Sequence, residues 1–145
     1  MNLRNPPKIK ILEALGAIAD GRVKLINEEE CEVISSEGDR KYKVILKGSE
    51  VYSDDNGTKF RNYVGYPIIS CLMIKGLLSF NEKYSNALKG IPWHKLNEEY
   101  KKYEKVEEIV FKISSERGIS RAELESFIKT IISQIANLHL KKIDI

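Results

Sequence analysis

The chain has 145 residues, of which 42% are hydrophobic and 31% charged, with a formal net charge of +3. That length is the usual size of one domain, here residues 1–145, and lets the chain bury a core without a metal or a disulfide. The balance excludes a disordered or membrane-embedded chain, and so small a net charge implies no polyanion partner unless the charges are unevenly placed.

Isoleucine, lysine and glutamate dominate, and Gln134 is the only glutamine. That bias, with opposite charges close in sequence, is typical of proteins from hot environments and speaks of habitat rather than activity. Met1 to Pro7 lacks an apolar stretch of signal-peptide length, so a cytoplasmic protein with no membrane partner is expected. Cys31 and Cys71 belong to no Cys-x-x-Cys pair. Buried free thiols are the expected state, with one disulfide left open by the spacing.

Residues 1–21 read as an extended arm and a helix. Ile9, Ile11, Leu12, Leu15, Ile18 and Ala19 fall at helical spacing, Lys8, Lys10, Glu13 and Asp20 are expected largely outward, and Gly21 is a natural C-cap. Gly16 inside the helix permits close packing. From Arg22 to Val64 the period changes to two. Segments around Val23–Leu25, Cys31–Ile34 and Tyr42–Leu46 are separated by polar turns, so neighbouring strands should be antiparallel. A fourth strand near Glu50–Ser53 leads into Asp54-Asp55-Asn56-Gly57, read as a hairpin turn on its Asn-Gly, and Thr58–Val64 into a fifth strand.

Residues 65–80 are apolar on nearly every side. A helix without a polar face has to be buried, and Pro67 suits its first turn. Residues 92–141 read as a helical hairpin. Leu96, Tyr103 and Val110 recur every seven residues, Arg117-Gly118-Ile119 makes the turn, and Ser120 with Glu123 forms a capping box. Leu124, Ile128, Ile131, Ile135 and Leu138 then make an apolar seam. The fold class is therefore α+β: an antiparallel β-meander of four or five strands with an N-terminal helix, a buried central helix and a C-terminal helical hairpin.

No motif names an activity. Asp54 to Gly57 lacks the ligand spacing of a calcium loop, and the twelfth position from Asp54 is Gly65 where a glutamate is needed. No phosphate-binding glycine loop is present, His139 suits a helix C-terminus, and no Cys/His cluster points to zinc. No cofactor is implied. Cys71, in an apolar helix, should be inert.

Three surfaces remain. Arg40, Lys41, Lys43, Lys47, Lys59 and Arg61, interleaved with Tyr52 and Tyr63, could hold a phosphate backbone while rings stack on bases, so a binding protein that contacts nucleic acid is one reading. Its alternative is a small enzyme or ligand-binding protein with a pocket near Asp54–Tyr66 and His94, where Glu98 on the same helical face could orient the imidazole. The C-terminal seam, if incompletely covered, would pair with a second copy about a two-fold axis.

Glu116-Arg-Gly-Ile-Ser-Arg-Ala-Glu-Leu124 resembles the turn and helix start of winged-helix and helix-turn-helix proteins, but Phe127 through Leu138 runs on without the break that a separate recognition helix needs. Ile11-Leu-Glu-Ala-Leu-Gly-Ala-Ile-Ala-Asp-Gly-Arg-Val23 and Tyr63-Val-Gly-Tyr-Pro67 resemble stretches of small proteins of unknown function from thermophilic archaea, and that likeness carries no activity.

Overall fold

The structure is a computed structural model that describes residues 1–143. Helix α1 (Lys8–Ala19) follows Pro7 directly, since the fixed φ of proline leads into a helix without using an N–H. Gly21 closes it at φ 69°. Strands β1 (Val23–Leu25), β2 (Glu30–Ile34), β3 (Lys41–Lys47) and β4 (Glu50–Ser53) form the antiparallel meander, with Val33 opposite Tyr42 and Leu46 opposite Val51. Alternation sends Cys31, Val33, Val44, Leu46 and Val51 into the core.

The expected hairpin at Asn56-Gly57 and the strand at Thr58–Val64 do not form. Residues Asn56–Arg61 are a short helix, α2. Asp55 stays extended and accepts a hydrogen bond from the Thr58 amide at 3.0 Å, which is N-cap chemistry. Asn62, at φ 58°, ends the helix and turns the chain back. Asp, Asn and Gly serve a cap as well as a hairpin, and here the carboxylate decides for the cap.

Helix α3 (Tyr66–Ile74) is the buried helix, with Pro67 in its first turn and Pro67 through Met73 shielded from solvent. It stops short of Phe80, because Gly76 turns the backbone at φ 79°. Asn81 caps α4 (Glu82–Ala87) by accepting from the Lys83 and Tyr84 amides. The long helix expected from Pro92 is two, α5 (Trp93–Tyr100) and α6 (Tyr103–Glu116), because Lys101 adopts φ 55° and breaks the register. Helix α7 (Arg121–Leu138) starts on the expected capping box and packs back on α6 as the hairpin. None of these helices is long and apolar enough to cross a membrane.

The fifth strand comes from the other end of the chain. β5 (Lys141–Lys142) pairs parallel with β4, giving the order β1-β2-β3-β4-β5. The N-terminal arm is tied down beside it, since the Leu3 amide donates to the Leu140 carbonyl and the Lys142 amide to the Met1 carbonyl.

α3 lies on the inner face of the sheet, and α1 packs on α3 while meeting α4, α6 and α7 on its other sides. The apolar seam of α7 closes that arrangement, with Leu124, Ile128, Ile131 and Ile135 buried in the same core. Cys31 of β2 and Cys71 of α3 form a disulfide within that core, so the expected free thiols are absent. Strand and helix bring the two Cα atoms to 6.2 Å, inside the span that a disulfide bridges.

Candidate functional site

Helix α1 turns a polar stripe inward. Residues three apart share a helical face, so Lys10, Glu13 and Gly16 stack on one side. Glu13 and Lys10 were expected outward, yet Glu13 is only 5% exposed and Lys10 partly buried, because α3, α4, α6 and α7 surround the helix. The Lys10 ammonium donates to Glu13 Oε1 at 3.1 Å and lies over the Tyr103 ring at 5.4 Å. Burial by itself would lower the Lys10 pKa. The adjacent Glu13 carboxylate, together with Tyr63 and Tyr103, offsets that, and the net shift is upward, so the ammonium stays charged. Gly16 lets Trp93 approach: a Cβ there would come 2.7 Å from the indole nitrogen.

This pair borders a cavity of about 260 Å³. Tyr42 and Tyr66 supply one wall, their rings edge to face with centroids 6.1 Å apart. Trp93, at the start of α5, supplies another. The β2–β3 turn contributes Ser35 to Glu37, Asp39 and Arg40 to the lining, α5 adds His94 and Asn97, and Asp55, Asn56 and Gly57 bring in the α2 cap.

Burial raises the Tyr42 and Tyr66 pKa values against the opposing pull of Arg40 and Arg22, so both phenols are neutral donors. The carboxylate of Asp55 is committed to the fold, since it accepts from the Ser53 hydroxyl and the Thr58 amide. Arg40 stands 5.2 Å over the Tyr42 ring, and Asp39 accepts from Ser35 Oγ at 2.9 Å.

Trp93 is 2% exposed and its Nε1 meets no acceptor among the described residues. Glu13 gives one oxygen to Lys10, and its second is not sealed away from solvent. Buried polar groups in folded proteins are nearly always hydrogen-bonded, and the indole nitrogen, sealed against Gly16, is an exception beside this cavity.

His94 sits at the mouth, 55% exposed, with Nε2 3.7 Å from Glu98 and 3.8 Å from Glu37. The Glu98 approach was legible as a four-residue spacing. Glu37 was not, because it arrives from the β2–β3 turn. The structure thus brings His94, Asp55, Asn56, Gly57 and Tyr66 to one cavity.

The basic and aromatic residues are dispersed by comparison. Lys41, Lys43 and Lys47 lie on the outer face of β3, and Tyr52 lies beside them on β4. Glu32 stands opposite Lys43 and 3.9 Å from Lys41, and Glu50 stands opposite Lys47. Lys59 and Arg61 are on α2 rather than the sheet. Tyr63 is buried, its hydroxyl 3.3 Å from that of Tyr103. Lys10, Glu13 and Trp93 went unanticipated. Their one sequence signal was a Lys–Glu pair three apart in a helix otherwise apolar enough to be enclosed.

A sheet covered on one face by α3, with α1 packed behind it and a polar cavity where α1, α5 and the β2–β3 turn meet, defines a small α+β protein with a cleft of about 260 Å³. The chain belongs to the family described as Uncharacterised conserved protein UCP014422, whose model matches residues 3–141. No curated protein and no solved structure matches it.

Proposed function

We propose that this protein binds a small polar molecule in the cavity floored by Lys10 and Glu13. The observation that carries the reading is the Lys10–Glu13 ion pair of α1 on the lining of a cavity that Tyr42, Tyr66 and Trp93 also wall. Holding an ion pair, two neutral phenols and an orphaned indole around an opening costs the fold stability, and binding sites are where such costs collect. At about 260 Å³ the cavity lies just under the range typical of drug-sized ligands, which suits a small metabolite.

Trp93 is the only tryptophan and lines the site, so its fluorescence reports occupancy. The test is titration of amines, amino acids, carboxylates, sugars and nucleosides at millimolar concentration. One class should give a saturable change in Trp93 emission and raise the melting temperature, by about 2.7 kcal/mol of stability at a hundredfold excess over Kd. Silence from every class would sink the reading. In a parallel titration of labelled oligonucleotides, tight binding that collapses with salt would instead favour contact through Lys41, Lys43 and Lys47. The glutamates beside those lysines argue against it.

A further inference from the structure

We infer that the ligand of this cavity is a small organic cation, a primary ammonium or guanidinium, whose charged head is taken by Glu13. The inference rests on the small-molecule reading above and adds the ligand's chemistry to it.

Charge gives the first argument. The lining holds four carboxylates, Glu13, Glu37, Asp39 and Asp55, against two cations, Lys10 and Arg40. Asp55 is saturated by its cap. Both cations are engaged, Lys10 between Glu13 and the Tyr103 ring and Arg40 over the Tyr42 ring. What the lining offers a newcomer is the second Glu13 oxygen, since Lys10 takes only the first; the sealed Trp93 Nε1 is packed against Gly16 and takes no part.

The rings give the second. Aromatic faces carry negative potential and attract ammonium and guanidinium groups, and Tyr42 already holds a guanidinium 5.2 Å from its centroid. Tyr66 and Trp93 extend that surface within the same cavity. An anion entering here would approach Glu13, Glu37 and Asp39 and would have to displace Lys10 or Arg40 from existing partners. A cation meets an open carboxylate oxygen and ring faces without displacing anything.

The test uses three probes of one shape and different charge, n-butylammonium chloride, 1-butanol and sodium butyrate, followed by Trp93 fluorescence on the whole chain. The expected result is a saturable change with butylammonium at a concentration at least tenfold below the other two, about 1.4 kcal/mol of discrimination. The preference should disappear in Lys10→Met/Glu13→Gln, which removes both charges together and spares the fold an uncompensated ion. The wild-type series decides without any variant. Butanol or butyrate binding as tightly as butylammonium would overturn the cation assignment while leaving a small-molecule site in place. No saturation with any of the three, together with silence in the wider titration, would remove the site itself.

Discussion

Helices α1 and α3 are both enclosed by the fold, and they are enclosed for different reasons. α3 offers Pro67, Ile68, Ile69, Cys71, Leu72 and Met73 and gives no sign of a wet side. Ser70 within it folds its hydroxyl back onto the Tyr66 and Pro67 carbonyls at 3.0 Å, and only Tyr66, at its first turn, reaches the cavity. α1 buries Ile9, Ile11, Leu12 and Leu15 as deeply, and with them an ion pair. The dry helix holds the sheet, as its disulfide to β2 makes explicit. The other carries charge into the interior and delivers it to a cavity. Hydrophobic burial explains α3 beyond its first residue, Tyr66, and α1 only in part, and the unexplained part of α1 is where function is proposed.

The largest expected effect breaks the pair. Lys10→Met alone leaves Glu13 without its cation in an enclosed site, and removing one partner of a buried ion pair typically costs about 3–5 kcal/mol. Lys10→Met/Glu13→Leu should recover most of that loss, because a well-packed apolar pair avoids the desolvation cost. Urea midpoints of the single and double variants measure the difference. A single variant within about 0.5 kcal/mol of the native protein would show that the pair is effectively solvated and would erase the contrast between the helices.

The disulfide tests the other side of the comparison. Cys31 and Cys71 are 40 residues apart, and the loop-entropy relation puts such a cross-link at about 4 kcal/mol at 25 °C. Cys31→Ala/Cys71→Ala should lose about that much, read by calorimetry, while small-ligand binding at the α1 cavity survives below the lowered melting temperature. Loss of binding in a variant that is still folded would mean that the disulfide is needed to hold Tyr66 of α3 in the cavity wall.

Gly16→Ala sharpens the junction between α1 and α5. Alanine favours a helix over glycine by about 1 kcal/mol, but its methyl would arrive 2.7 Å from Trp93 Nε1, and overpacking costs about 1–3 kcal/mol. The net expectation is a mild destabilisation with a shifted Trp93 emission maximum and weaker ligand binding. An unchanged emission spectrum would show that the indole does not depend on the glycine.

The meander, the buried helix and the capping box at Ser120 were legible because each rests on a local rule, alternation of period two, an all-apolar run, or a cap residue with its partner three positions on. β5 was hidden because two lysines at the end of a helix carry no strand signal, and β4 had an open edge that only the folded chain reveals. Asp55 was misread because a carboxylate ahead of Asn-Gly suits a hairpin and a helix cap alike. The site was least legible. Its runner-up outline, Asp54 to Tyr66 with His94, shares Asp55, Asn56, Gly57, Tyr66 and His94 with the cavity lining, but Lys10 and Glu13 look like solvent-facing charges until four other helices close around them. The cross-strand glutamates had the opposite effect on the sheet. Lys41, Lys43 and Lys47 read as a basic stripe along the chain, and register alone sets Glu32 and Glu50 beside them.

The smallest effect concerns the outer end of α1, where Lys8 bonds Glu125 at 2.8 Å and Glu107 of α6 is buried nearby. Burial raises the Glu107 pKa, Lys8 pulls it down, and Glu104 and Glu125 push it up again. A carboxyl whose pKa is higher folded than unfolded binds its proton more tightly in the native state, so stability falls as pH rises from the ordinary carboxylate range through the raised value. Glu107→Gln removes that dependence. The variant should therefore melt slightly above the native protein near about pH 7 and lose its advantage near about pH 3, where the native carboxyl is protonated in both states. Equal melting temperatures at both pH values would mean that Lys8 neutralises Glu107 as fully as Lys10 neutralises Glu13, and α1 would then carry two balanced ion pairs rather than one.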